Sequence, residues 1–178
     1  MSRHFGPIRQ LGYVVKDIQA AIQYWHAALG VGPFFYFEQA PIRDLRYRGE
    51  PNMSEVAFAL AQTGPTQIEL IMPRDNLPSL YNDFIDRHGE GLQHIAYWAE
   101  DITEWEHQAQ ASGMTCVLSG CTGDAAGRFA YYAGEGHAGT CVEFSALSDA
   151  KKALFEDVAR ASVDWDGQAP LRRYSLPL

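Results

Sequence analysis

One phrase occurs twice in this chain. Gln10-Leu-Gly-Tyr-Val-Val-Lys-Asp17-Ile18 returns as His94-Ile-Ala-Tyr-Trp-Ala-Glu-Asp101-Ile102, with a polar, ligand-type residue seven places before an Asp-Ile in each copy. Each copy closes on a second matched phrase, Thr66-Gln-Ile-Glu69-Leu in the first and Thr140-Cys-Val-Glu143-Phe in the second. Matched apolar positions imply a duplicated fold. Matched ligand-type positions imply, in addition, a site built between the two copies.

Periodicity gives each copy the order β-α-β-β-β. In the first, a β-branched strand over 8–15 leads to Asp17, a good N-cap for a helix over 18–29. Ile18, Ala21, Ile22, Trp25 and Leu29 share one face of that helix, and Gly30 and Gly32-Pro33 end it. Strands follow over 34–38, 55–61 and 66–72, the middle one half-buried through Val56, Phe58 and Leu60. Residues 41–53 are polar and read as a long connection or irregular hairpin. After a linker over 74–91 with a short helix at 77–87, the second copy places strands at 92–98, 114–118, 130–133 and 140–144, and a helix capped by Asp101 running to about Ser112. A helix over 148–163, with Leu154, Phe155 and Val158 on one face, lies outside both copies and is expected to cover part of the sheet or a partner subunit. The expected fold class is α+β. Two modules, 8–73 and 92–147, make up a single domain 1–178, with a C-terminal helix and tail over 148–178.

At 178 residues the chain can bury a sizeable core, and 47% apolar with 20% charged residues is a globular composition. A net charge of −8 with no Lys/Arg run argues against nucleic acid or an anionic membrane as partner. It leaves room for a small anionic ligand held by local positive charge. The N-terminus lacks the apolar stretch of a signal peptide, no run reaches membrane-spanning length, and Cys116, Cys121 and Cys141 form no C-x-x-C pair. These features point to a cytoplasmic protein with reduced thiols.

Chemistry concentrates on four residues. Gln10, Gly12 and Val14 share one strand face, and Gln67, Glu69 and Ile71 share another. Glu69 and Glu143 interrupt strongly apolar strands, where a carboxylate is costly unless it is paired or holds a metal. Singly, a strand Gln or Glu usually faces solvent and a lone His is usually a satisfied core residue. The matched spacing favours one ion bound by Gln10, Glu69, His94 and Glu143, an oxygen-rich set with one imidazole nitrogen and room for substrate. His4, His26, His88 and His107 are weaker candidates. Gly134-Glu-Gly-His137-Ala-Gly139 matches a dinucleotide-binding pattern in letters but leads into a strand, so it reads as a hairpin turn with His137 at its rim. Trp25, Phe34, Phe35 and Tyr36 read as core or interface.

The paired modules and their opening and closing phrases resemble the vicinal oxygen chelate superfamily over about 8–147. That group includes glyoxalase I, methylmalonyl-CoA epimerase, extradiol dioxygenases, and the bleomycin- and fosfomycin-resistance proteins. The resemblance implies two modules forming a cupped mixed sheet around a divalent metal, a small-molecule substrate that meets the ion through vicinal oxygens or sits next to it, and a homodimer, with sites both within one chain and across a dimer known in the group. The order Gln10, Glu69, His94, Glu143 matches eukaryotic glyoxalase I. Gln10 stands where dioxygenases and the epimerase have histidine, which disfavours ring cleavage. Val14, Pro73 and Glu90 replace the basic residue, Asn and Arg of the glutathione-binding pattern, which disfavours glutathione. The implied activity is that of a lyase or isomerase moving a proton α to a carbonyl, with one divalent ion (Zn, Ni, Co or Mn) as Lewis acid. Glu143 is the first candidate for general base and Glu69 the second. Glu50 or Glu55 could serve the opposite face, although solvent exposure suits both better, and Arg43, Arg46 and Arg48 could hold an anionic group, with a solvated loop suiting them equally. The alternatives are a sequestering protein of the resistance type and, third, an aromatic-ring dioxygenase.

Overall fold

The computed structural model describes residues 2–134 and 141–174. The first module runs β1 (Gln10–Val14), α1 (Ile18–Leu29), β2 (Phe34–Phe37), β3 (Ile42–Tyr47), β4 (Glu50–Pro51), β5 (Val56–Thr63) and β6 (Thr66–Pro73). Helix α2 (Leu80–His88) links it to β7 (Gly91–Ala99), α3 (Thr103–Ala111), β8 (Thr115–Thr122), β9 (Arg128–Ala133) and β10 (Cys141–Ala146). Helix α4 (Asp149–Ser162) and a short strand β11 (Leu171–Arg173) follow. Residues 135–139 of the glycine-rich turn, His137 among them, and Thr140 lie outside the described residues.

Helix ends follow local chemistry. The Asp17 carboxylate accepts from the Gln19 and Ala20 N–H groups, and Gly30 closes α1 in the left-handed conformation, as expected. Asp101 differs. It sits one residue outside α3, whose N-cap is Ile102, and its carboxylate accepts from the Thr103 N–H at 2.9 Å and hydroxyl at 2.7 Å. The same carboxylate chemistry thus forms a turn before the helix rather than a cap on it.

Both modules weave their strands the same way. β1 lies parallel to β6, which pairs antiparallel with β5, and β5 with β2; β7 lies parallel to β10, then β9, then β8, again antiparallel. The halves meet where β1 and β7 run antiparallel, Gln10 opposite Ala96 and Gly12 opposite His94, a register symmetric under the repeat. The polar stretch 41–53 forms a hairpin rather than a loose connection. Its strand β3 crosses to pair with β8 of the other module, and β11 lies along β2, so the sheet reads β11-β2-β5-β6-β1-β7-β10-β9-β8-β3-β4.

The two faces bury different sets. On one face α1 sets Ile18 and Ile22 against Ala57, Ala59, Ala61, Ile68 and Leu70, while α3 covers Ala130, Tyr132 and Phe144 with Ile102 and Ala109. The alanines of β5 let α1 approach closely. The strand is therefore buried on both faces over most of its length rather than half-buried. The other face gathers Val56, Phe58, Leu60, Ile71, Phe129 and Tyr131 from both modules under Leu154 and Val158 of α4. The C-terminal helix thus covers the sheet within its own chain. Each fully buried aliphatic side chain on that stripe contributes roughly 1.5–3 kcal/mol.

Candidate metal centre

Strand register alone brings the candidate donors together. Gln67 lies opposite Gln10 and Glu69 opposite Gly12, while Cys141 lies opposite His94 and Glu143 opposite Ala96. Directly opposed residues share a face, as do residues two apart along a strand. Gln10, Glu69, His94 and Glu143 therefore rise from the four central strands onto the face covered by α4.

The geometry is compatible with a bound cation. Donor atoms of Glu69, His94 and Glu143 lie within 4.8 Å of one another, the one such cluster of His, Cys, Asp and Glu among the described residues. His94 Nε2 is 3.2 Å from Glu143 Oε2 and 3.4 Å from Glu69 Oε2. Even so, His94 Nε2 and Glu69 Oε2 are buried without a well-formed hydrogen bond. Orphaned polar atoms that converge deep in a protein call for an explanation, and a shared cation supplies one. At the far side of the ring, His94 Nδ1 meets Gln93 Oε1 at 2.8 Å. With the amide oxygen accepting there, the neutral ring turns the Nε2 lone pair toward the two carboxylates. Gln10 donates from Nε2 to Gln67 Oε1 at 2.7 Å, which leaves its amide oxygen as the free end. An imidazole nitrogen with carboxylate and amide oxygens suits a divalent ion of borderline to hard character.

Electrostatics report the same crowding. Burial works against charge on His94, but the Glu143 and Glu69 carboxylates outweigh it and raise the ring to about 9. Burial raises Glu69, and the like charge of Glu143 adds to it. Burial also acts on Glu143, yet His94, Lys151 and the Tyr131 hydroxyl hold that carboxyl below its ordinary range.

A cavity of about 70 Å³ adjoins these groups, lined by Gln10, Glu69 and Glu143 together with Phe58, Phe129 and Leu154. Three features of the site escape sequence reading. Gly12 leaves space for the imidazole, Gln93 fixes its orientation, and Lys151 enters from α4 to line the cavity. Lys151 did leave a signal: it stands at the i position of the stripe formed by Leu154, Phe155 and Val158, a lysine on an apolar face.

Other candidates lie elsewhere. Arg43 donates to the Gly123 carbonyl, Arg46 to the Gly49 carbonyl, and Arg48 pairs with Asp83 at 2.8 Å. Glu50 is exposed on β4, and exposed Glu55 accepts from Gln39 at 2.8 Å. None of the five lines the cavity; the three arginines and Glu55 tie the β3–β4 hairpin and neighbouring segments together. His26 packs on Trp165 and His88 on Phe84, away from the cluster. Phe34 and Tyr36 are core beneath α1, and Trp25 packs edge-on against Tyr13. The three thiols are unpaired, and burial pushes Cys141 up to about 12, which makes it a poor nucleophile.

Duplicated β-α-β-β-β modules joined at their first strands, with facing carboxylates and a histidine at the seam, define the vicinal oxygen chelate class of fold. The model of the glyoxalase/bleomycin resistance protein/dioxygenase superfamily matches residues 9–132, and the chain belongs to that superfamily. The match takes in Gln10, Glu69 and His94, while Glu143 and α4 lie beyond it. Among solved structures, methylmalonyl-CoA epimerase from Mycobacterium tuberculosis is similar at TM-score 0.60 and 20% identity, over 86% of this chain and 96% of that one. A hypothetical protein from Bacillus halodurans gives TM-score 0.56 at 21% identity, covering 80% and 95%. A Streptomyces coelicolor methylmalonyl-CoA epimerase variant in complex with 2-nitronate-propionyl-CoA gives 0.54 at 18%, covering 78% and 94%. No curated protein matches the chain. No helix among the described residues is long and apolar enough to cross a membrane.

Proposed function

We propose that the chain is a divalent-metal-dependent lyase or isomerase that moves a proton α to a carbonyl. The observation that carries this reading is the buried convergence of His94 Nε2 with Glu69 and Glu143, which lack mutual hydrogen bonds of good geometry. Glu69, His94, Glu143 and the Gln10 amide oxygen would hold the ion, with Zn, Ni, Co and Mn all compatible with that donor set. When bound, the ion supplies positive charge beside a substrate carbonyl oxygen and so eases loss of the adjacent proton. Glu143 is the first candidate to accept that proton and Glu69 the second, since both border the cavity where a substrate carbon would sit. Phe58, Phe129 and Leu154 give that space an apolar wall, and Gln93 keeps the His94 ring oriented.

The four proposed donors converge within one chain, which favours a site that does not need the expected homodimer to complete it. Three unpaired thiols fit a cytoplasmic location. The test is reconstitution with each of the four metals, elemental analysis, and proton NMR of α-exchange in deuterated buffer across 2-oxo thioesters, hemithioacetals and oxo acids. One ion per chain, lost in Glu143→Ala, together with metal-dependent exchange, supports the reading. A ligand bound unchanged after chelation would instead mark a sequestering protein.

A further inference from the structure

The donor cluster faces a second buried charge that neither module supplies. Lys151, on the first turn of α4, is 7% exposed and lines the same cavity as Glu69 and Glu143. Its ammonium donates to Ser145 Oγ at 2.9 Å and to the Arg128 carbonyl at 3.4 Å, and sits 5.9 Å from the centre of the Phe129 ring. An ammonium has three N–H donors. Among the described residues its hydrogen-bond acceptors are two, both neutral. Burial lowers its proton affinity, Glu143 and Glu69 offset part of that through space, and neither forms an ion pair with it. A buried cation with no carboxylate in contact is costly unless something else brings the counter-charge.

Ser145 adds direction. It lies two residues beyond Glu143 on β10 and so shares its face. Its oxygen is taken by Lys151, which leaves the hydroxyl proton free for a second acceptor. The cavity at this point could receive two charge-assisted hydrogen bonds to one anion.

Charge sets the valence of that anion. Glu69 and Glu143 bring two negative charges, Lys151 one positive, and a neutral His94 none. With a divalent ion in place the site carries one positive charge in excess, which a single monoanion cancels. Size sets its reach, since about 70 Å³ is well below the roughly 300–1,000 Å³ of a pocket that encloses a drug-sized ligand.

We propose that Lys151 and Ser145 form a carboxylate-binding subsite beside the Glu69–His94–Glu143 cluster, and that the substrate is a small monoanionic oxo acid whose carbonyl faces that cluster. This rests on the metal reading above. It places a specificity determinant on α4, outside the segment matched by the superfamily.

The experiment uses the full chain loaded with Co(II), whose visible d–d bands report ligand binding independently of turnover. Pyruvate and its uncharged isostere pyruvamide are titrated against wild type, Lys151→Met and Ser145→Ala. Wild type should bind pyruvate at least about tenfold more tightly than pyruvamide. Lys151→Met should erase that preference while binding Co(II) no more weakly than wild type, and Ser145→Ala should reduce it. Equal affinities in wild type, no spectral response to millimolar pyruvate, or a preference that survives Lys151→Met would overturn the subsite while leaving the metal centre intact. Equal wild-type affinities overturn the subsite whether or not the variants fold, and if Lys151→Met fails to fold, a preference undiminished in Ser145→Ala overturns it. If wild type develops no d–d bands with Co(II), the metal reading itself falls, and the subsite with it.

Discussion

The imidazole of His94 occupies the space where a β-carbon on Gly12 would stand: an ideal Cβ there would lie 1.8 Å from Cε1 and 2.2 Å from Nε2 of the ring. The two residues oppose each other across the β1–β7 seam, so the glycine is a notch cut for the histidine. Glycine inside a strand normally weakens it, and alanine would ordinarily be an improvement. Here Gly12→Ala should do the reverse. We expect a loss of about 1–3 kcal/mol in denaturant unfolding, as for other overpacked cores, with divalent-ion affinity down more than about tenfold because the ring is pushed aside. A variant as stable and as metal-competent as wild type would mean that the ring has another place to go.

The raised pKa of His94 links stability to pH. Its folded value of about 9 exceeds the ordinary 6.5, so the metal-free protein gains stability from the protonated ring. That gain is fully present below about pH 6.5 and is lost as pH rises through about 9. Thermal melting in the presence of a chelator should therefore fall across this window. Divalent-ion affinity should rise across the same window, because metal and proton compete for Nε2. A flat chelated profile would show that the two carboxylates do not hold a proton on the ring.

Glu69 and Glu143 should respond oppositely to neutralisation. Glu69 is held above its ordinary range by burial and by its neighbour's charge, so Glu69→Gln should leave metal-free melting at pH 7 unchanged or higher. Glu143 is held below its range by His94, Lys151 and Tyr131, so Glu143→Gln should lower it. That deficit should shrink as pH falls and the wild-type carboxylate is itself protonated. Both variants should lose divalent-ion affinity by more than the roughly 10–100-fold typical of losing an outer-sphere partner. Calorimetric titration with Co(II) or Zn(II) measures this directly.

Leu154 and Val158 anchor α4 over the cavity face, 4% and 0% exposed. Leu154→Ala should cost about 2–5 kcal/mol in equilibrium unfolding. An unchanged midpoint would indicate that the helix is not docked on the sheet in solution.

Much of this was legible in the sequence because a duplication records itself. The repeat located β1 and β7, β6 and β10, and with them Gln10, Glu69, His94 and Glu143, since strand alternation fixes faces before any coordinates exist. What could not be read was long-range pairing. The path of β3 across to β8 depends on sheet curvature, and the polar residues of 41–53 carry no period that names a partner. Gly12 reads as a weak strand residue until the ring opposite it is known. Gln93 looks like any polar residue beside His94. The burial of β5 on both faces was disguised by its alanines, which are small because α1 presses on them. Lys151 was the one missed residue with a usable sign, a charge set into an otherwise apolar helical stripe.

The crossing of β3 onto β8 has a mechanical consequence. The halves share the β1–β7 seam, and a strand of the first half is also stitched along the far margin of the second. Swinging the halves apart about the seam would have to unzip that remote ladder, and β11 braces the opposite margin against β2. The bowl is thus strapped at the hem as well as welded down the middle. Opening between the halves is braced at both margins, which leaves the rim as the way into the cavity.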